Sequence, residues 1–477
     1  MATVRILSEH AQSNTFHAWL DLIRSDPDGA ADAIVRTLED VPEAVRRACI
    51  AGREGEAALR DAFRGARQLA RDHELSGIPY MLKDLFDVAG LPTHAGGTFL
   101  PEVTGPVAQD SRLKRALDRL GAVMVGKTHL NEFAYGLDGM NAHYGNGTHP
   151  WDIDRISGGS SSGSAWAVGR GVTPLAFGTD TGGSVRVPAA LCGVYGVRLE
   201  PNDLVHDGVC PLSQTFDTAG WFTAAPEDAA TFWKALASVD GEVRLSPDEW
   251  SGRILYAPRE DVLDDPELQR LYQDALPLLA FGPTEEGARK PPRPVDRARH
   301  ADHANAETSA ARPDHASTDL ERYLRESSHD HVTAYNVIGS SDAYTVHAPY
   351  LTEYADRYEE RVHLLIERGA HWPREERERA REIQRSTEEH LRGLLSEYDA
   401  IVSPTTHVVA PPFAEAGFDF RRRILALTAP ASLARVPVVT VPVFREDGLS
   451  GGLQILIHPE RPGLGVSLLR HLAAHHP

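Results

Sequence analysis

The 477-residue chain reads as an α/β protein, and three features of its sequence say so. Residues 15–72 set apolar side chains at helical spacing: Phe16, Trp19, Leu20 and Ile23, then Ala58, Leu59, Ala62 and Phe63. A helix carrying Leu113, Leu117 and Leu120, with Asp110 as N-cap, is followed after Gly121 by a strand over 122–125. Near the C-terminus, Asp399-Ala-Ile-Val-Ser-Pro-Thr-Thr406 and Val436-Pro-Val-Val-Thr-Val-Pro442 are apolar runs of buried-strand length, and Gly451-Gly-Leu-Gln-Ile455 follows. Alternation of helices and buried strands belongs to α/β architectures.

Taken in order, residues 1–72 form a helical N-terminal layer. The next element, Ile78-Pro-Tyr-Met-Leu-Lys-Asp-Leu-Phe-Asp87, is an apolar run that leads a strand into the core and carries Lys83. Desolvation disfavours a charged ammonium, so a buried Lys83 is poised as a general base. A lysine ending such a strand also occurs simply with its head snorkelling to water.

Two glycine-flanked serine clusters come next. Ser157-Gly-Gly-Ser-Ser-Ser-Gly-Ser164 runs into Ala165-Trp-Ala-Val168, a helix reaching about Gly169. Helix entry orients N–H groups and hydroxyls toward one point; Ser157, Ser162 and Ser164 read as caps, Ser160 as something else. In Gly178-Thr-Asp-Thr-Gly-Gly-Ser-Val-Arg-Val-Pro188, Gly182 and Gly183 let the backbone turn tightly just before Ser184. By composition alone this is an ordinary Gly/Ser loop. The functional reading makes Ser184 a nucleophile, with the N–H groups of Thr181, Gly182, Gly183 and Ser184 as an oxyanion hole.

Together, in this order and spacing, the lysine and the two serine clusters resemble the amidase signature family of serine hydrolases. The resemblance is dense over residues 75–225 and looser over 398–460. It implies one large mixed β-sheet core covered by helices on both faces, without an independent second domain. Residues 73–240 would be the signature core, 241–397 a variable helical region over the active site, and 398–477 the strands and helix that complete the core. It further implies Lys83 as base, Ser160 as bridging serine after a cis Gly159–Ser160 peptide, and Ser184 as nucleophile. Ser161 would hold the relay by hydrogen bonds, and Asp180 and Arg186 would pair beneath the nucleophile loop. Neutral Lys83 would take a proton through Ser160 as Ser184 attacks, and return it to the leaving amine; water would then hydrolyse the acyl-enzyme.

Asn141-Ala-His-Tyr-Gly145, Ser160-Ser-Ser-Gly-Ser164 and Ser213-Gln-Thr-Phe-Asp-Thr-Ala-Gly-Trp221 most resemble the indole-3-acetamide hydrolases of plants and their bacterial relatives. Ser162 and Gly163 stand where many members carry two glycines. Val197-Arg-Leu-Glu-Pro201 also departs from the common pattern, next to the nucleophile loop.

The second half carries fewer motifs. Residues 283–318, rich in Pro, Arg, Ala, His and Asp, read as a flexible insertion, a solvated linker or a lid, with His300, His303 and His315 in water. Helices rich in Glu and Arg occupy 319–397, and Arg374-Glu-Glu-Arg-Glu-Arg-Ala-Arg381 is a solvated face. Tyr335, Ile338, Tyr344 and Tyr350 line a substrate funnel or pack in the core. Gln454 either donates to substrate or makes a structural hydrogen bond.

A formal net charge of −19 repels phosphates and anionic lipid, which argues against nucleic-acid and membrane partners and for a small-molecule substrate; the resemblance implies that this is an amide or a carbamate. Ser8-Glu-His-Ala-Gln-Ser-Asn14 is polar, no apolar run is long enough to span a bilayer, and cytoplasmic residence is the expectation. Cys49, Cys192 and Cys210 are too scattered for a disulfide framework or a zinc site; Cys192 packs beneath the active-site loop. Among 22 histidines there is no His-Glu-x-x-His, and His329-Asp-His331 is isolated, so neither a metal nor a cofactor is expected. Three functions follow from the resemblance. One is an amidase acting on aryl or arylalkyl amides, with carbamates as alternative substrates, alone or as a homo-oligomer. The others are a glutaminase component of an amidotransferase and a binding module, against which the retained Lys83, Ser160 and Ser184 argue.

Overall fold

Ten strands join in one mixed sheet in the computed structural model, which describes residues 5–6, 13–69, 75–263, 265–279 and 315–475. In chain order they are β1 (Ile50–Arg53), β2 (Pro79–Lys83), β3 (Val123–Thr128), β4 (Leu175–Asp180), β5 (Tyr195–Arg198), β6 (Thr218–Thr223), β7 (Ile254–Tyr256), β8 (Ala400–Pro404), β9 (Val438–Phe444) and β10 (Ser450–Leu456). Across the sheet the order is β1-β3-β2-β4-β6-β5-β9-β10-β8-β7. β2 runs parallel to both β3 and β4, β7 runs parallel to β8, and the other pairs are antiparallel. Every residue of β2, β8 and β9 is buried, which is why these strands read as apolar runs rather than alternating ones.

The two faces of the sheet are dressed differently. On one, Trp221 of β6 meets Phe232 and Trp233 edge-on, and these belong to the helix Pro226–Val239. On the other, Ser161 lies so close to β4 that a Cβ on Gly178 would collide with its hydroxyl. Glycine there lets the helix Ser162–Arg170 and the loop before it come down onto the strand that carries the second serine cluster.

Several elements differ from expectation. Ser111, not Asp110, caps the helix Arg112–Arg119: its hydroxyl accepts from the Lys114 N–H at 3.4 Å, while the Asp110 carboxylate accepts from the Ala89 N–H at 2.8 Å. The strand after Gly121 is Val123–Thr128 rather than 122–125, because pairing with β2 carries it on to Thr128 opposite Lys83. The N-terminal layer is not wholly helical, since Ile50–Arg53 pairs antiparallel with β3. Of the expected insertion at 283–318, the part up to 314 lies outside the described residues, and from His315 the chain forms the helix His315–Glu326.

Candidate active site

Lys83 closes β2, an interior strand third from one edge of the sheet, and is fully buried. The parallel register sets Leu82 beside Phe177 of β4, so Lys83, one residue on, comes within reach of Thr179. Its Nζ lies 2.8 Å from Ser160 Oγ and 2.9 Å from Thr179 Oγ1. Burial lowers the Lys83 pKa to about 7, against the pull of Asp217 and Asp180 toward the charged form. A lysine in this state exchanges a proton with a hydroxyl near neutrality.

Ser160 follows a cis Gly159–Ser160 peptide, as the resemblance implied. The segment is held by the N–H of Asn131 on Ser160 O at 3.2 Å and by the N–H of Gly159 on Leu137 O at 2.9 Å. Ser161 does not bond the lysine or the Ser160 hydroxyl. Its N–H donates to Ser184 O and its hydroxyl to Thr179 O, both at 3.2 Å, so it ties the first serine cluster to the second. The neighbouring serines do not cap the helix as expected. Ser157 Oγ donates to Gly158 O, Ser162 Oγ to His129 O and Ser164 Oγ to Phe177 O, the last bracing the helix on β4.

The loop of residues 181–184 joins β4 to the helix Arg186–Cys192, and Asp180 sets its shape. Asp180 Oδ1 accepts from the Gly183 N–H at 2.9 Å, from Arg186 at 2.9 Å and from Arg198 at 2.8 Å. Oδ2 accepts from the Val185 N–H at 3.0 Å and from Arg186 Nε at 3.0 Å. Burial alone would raise the Asp180 pKa, but the two guanidiniums hold it far below the usual carboxylate range. Farther along the loop, Thr428 Oγ1 donates to Gly182 O at 2.6 Å, and Thr181 Oγ1 donates to Asp217 Oδ1 at 2.6 Å. With Gly183 at φ +127°, a conformation open to glycine, the turn places Ser184 just before Val185, the N-cap of the helix Arg186–Cys192.

This anchoring corrects the expected oxyanion hole. The Gly183 N–H is committed to Asp180, whereas those of Thr181, Gly182 and Ser184 meet no acceptor among the described residues. The Ser184 side chain is 2% exposed and its hydroxyl also has no partner among those residues.

Gln454 is not placed to meet a substrate. It is 1% exposed; its amide donates to Ser403 Oγ, Pro404 O and Leu427 O, and its Oε1 accepts from Arg186 Nη1 at 2.9 Å. It therefore anchors the arginine beneath the loop. Of the funnel candidates, Tyr335 reaches the loop: a Cβ on Gly182 would collide with its hydroxyl, and its ring stacks on Phe216 at 5.5 Å. Ile338 packs in the same apolar cluster as Tyr335, while Tyr344 and Tyr350 pack around Phe99 and Phe133 in another. Cys192 Sγ lies 3.3 Å from Ser157 O, behind the first serine cluster.

Thr179, Asp217, Thr428 and Arg198 were not singled out from sequence, although each holds part of this arrangement. For Arg198 a signal existed: an arginine inside a strand buried at every position requires a buried partner. Among the described residues no group of three His, Cys, Asp or Glu side chains is arranged to hold a metal ion, and no helix is long and apolar enough to cross a membrane.

The family model for Amidase matches residues 43–459. The chain is similar to a glutamyl-tRNA(Gln) amidotransferase component of Acidothermus cellulolyticus, with 31% identity over 409 residues, 80% of this chain and 77% of that protein. To Amidase 1 of Oryza sativa subsp. japonica it is 39% identical over 173 residues, which span 36% of this chain and 40% of that protein. A crystal structure of an amidase superposes with a TM-score of 0.76 at 25% identity, over 96% of this chain and 99% of the other.

Proposed function

Because this chain belongs to the amidase family, hydrolases of C–N bonds other than peptide bonds, we propose that it cleaves a small carboxamide through an acyl-enzyme on Ser184, with Ser160 and Lys83 as its proton relay. The observation that carries the reading is the buried Lys83 Nζ at 2.8 Å from Ser160 Oγ, one hydrogen bond behind the serine clusters. Neutral Lys83 accepts the proton that Ser184 gives up through Ser160 as its oxygen attacks the acyl carbon. The substrate oxygen settles among the N–H groups of Thr181, Gly182 and Ser184. Collapse of the tetrahedral adduct breaks the C–N bond, and the relay returns the proton to the departing amine. Water then repeats the cycle on the ester, leaving an acid and free Ser184.

Tyr335, held by stacking on the fully buried Phe216, covers Gly182 with an aromatic side chain, which supports aryl or arylalkyl amides of the indole-3-acetamide kind as substrates. A second reading, a glutaminase component that works with a partner, is favoured by the 31% identity to an amidotransferase component over most of its length.

The purified chain alone, offered arylacetamides, anilides, aryl carbamates and glutamine beside a Ser184→Ala control, decides between them. Serine-dependent release of amine from the aryl amides supports the amidase, and preference for the carbamates moves the same chemistry to urethanes. Turnover of glutamine alone points to the amidotransferase component. Full activity in Ser184→Ala overturns all of these.

A further inference from the structure

Arg421 sits in the helix Phe418–Ala434, which also supplies Thr428 to the Gly182 carbonyl. Its guanidinium is half-buried, yet its described partner is a neutral atom: Nη1 and Nη2 both point at Asn336 Oδ1, at 3.4 and 3.3 Å. Its Nε is buried and has no hydrogen-bond partner among the described residues. No carboxylate lies within ion-pair distance of it among those residues. The contrast with its neighbour is sharp, since Arg422 is more exposed and still pairs with Asp419 at 2.6 Å. In a chain with 68 acidic and 49 basic residues, a partly desolvated arginine left without an acid needs a reason.

Its surroundings give one. Asn336 follows Tyr335 on the helix Ser328–His347 and turns its amide back to Val332 O at 2.9 Å, presenting Oδ1 to Arg421. Arg421 thus bonds the residue next to Tyr335 and lies two turns before Thr428 on its own helix, between two elements that both reach the 181–184 loop. Tyr335 in turn covers Gly182, and its own hydroxyl has no hydrogen bond among the described residues. Tyr335, Asn336 and Arg421 thus link Gly182, whose N–H meets no acceptor among the described residues, to a positive charge that no carboxylate among them offsets. Guanidinium offers five N–H donors in a fork matched to a carboxylate, and only two are engaged here, at distances longer than a charge-assisted bond.

We propose that Arg421 is a specificity-determining residue that binds a carboxylate carried by the substrate away from the scissile bond, beyond the Tyr335 wall. The preferred substrates are then small amides that are themselves anions. The inference rests on the amidase reading and narrows its substrate class. A chain of net charge −19 repels such anions at long range, so their retention depends on a cation at contact distance in the site.

Two matched pairs test it: glutaric acid mono-4-nitroanilide against pentanoic acid 4-nitroanilide for a charge on the acyl side, and 4-acetamidobenzoate against 4-methylacetanilide for a charge on the amine side. kcat/KM is measured for the native chain, Arg421→Met and Arg421→Lys. In one pair the native chain should favour the acid by about tenfold or more, mainly through KM, with the preference lost in Arg421→Met and partly kept in Arg421→Lys. If Arg421→Met does not fold, the Lys variant and a decline of the native preference with rising salt carry the test. Serine-dependent turnover without preference for either acid, or a preference that survives Arg421→Met, overturns this inference and leaves the amidase intact. No serine-dependent turnover of any of these amides overturns both.

Discussion

Lys83 Nζ and Ser160 Oγ are 2.8 Å apart where neither residue has any exposed surface. Burial brings the lysine pKa to about 7, so the neutral, proton-accepting form grows as pH rises through that value. We expect kcat/KM for a neutral amide to climb across pH 7 and level off about one to two units above it. Lys83→Met should lose that limb and about 10²–10⁴ in rate, the usual contribution of a positioned base. A native profile flat from pH 6 to 9 would remove Lys83 from the relay.

The same shift predicts an effect on stability. Between pH about 7 and the 10.5 of an ordinary lysine, the unfolded chain holds a proton at this position that the folded chain has released. Stability from this group therefore rises with pH through that window, and the penalty of burying the ammonium is fully present below it. Lys83→Met removes the penalty, so the melting temperature of the variant relative to the native chain should be higher at pH 6 than at pH 9. An equal difference at the two pH values would mean that Lys83 is not desolvated as described.

Asp180 is the common acceptor for two fully buried arginines, Arg186 and Arg198, and for the Gly183 N–H. Removing one member of a buried ionic cluster leaves charge without compensation, at a cost of about 3–5 kcal/mol. Asp180→Ala should lower the denaturation midpoint accordingly and abolish turnover, because the loop loses its template. A stable, inactive Asp180→Ala chain would show that the carboxylate shapes the loop without supporting the fold.

The fold class was legible from local patterns, the helical spacing and the apolar strand-length runs, whereas the meeting of Lys83 with Ser160, 77 positions on, followed only from the family resemblance. What neither supplied was the rest of the distant pairing. Arg186 and Gln454 are 2.9 Å apart but 268 positions apart in the chain, and nothing near Gln454 marks it as the partner of a buried cation. The Gly183 N–H looked available for an oxyanion, but the Asp180 carboxylate reaches three residues forward to take it. Capping at Ser111 in place of Asp110 is a one-residue choice, decided when the Ala89 N–H claims Asp110.

Gln454 yields a test of its structural role. Substituting alanine leaves Arg186 Nη1 without one of its two acceptors in a site closed to water, a loss of about 1–3 kcal/mol. Chemical denaturation should report that loss. KM for a small amide should move little, since the residue has no exposed face; a large rise in KM with unchanged stability would return Gln454 to the substrate.

Tyr335 leaves no room for a side chain on Gly182 in the 181–184 loop. A methyl group on Gly182 would strike the Tyr335 hydroxyl and ring, and because Gly182 O is fixed by Thr428 the loop cannot retreat without breaking that bond. Gly182→Ala should therefore displace the Gly182 N–H from its position and lower kcat by about 10²–10³, the scale seen when one oxyanion donor is lost. Adding Tyr335→Ala gives the methyl group room. If the clash is the cause, the double variant should recover a substantial part of the lost kcat relative to Gly182→Ala alone, at the expense of KM for aryl substrates that pack on Tyr335. If the two losses instead add in the double variant, the residues act independently and Gly182 matters for its backbone conformation rather than for the space it leaves to the tyrosine.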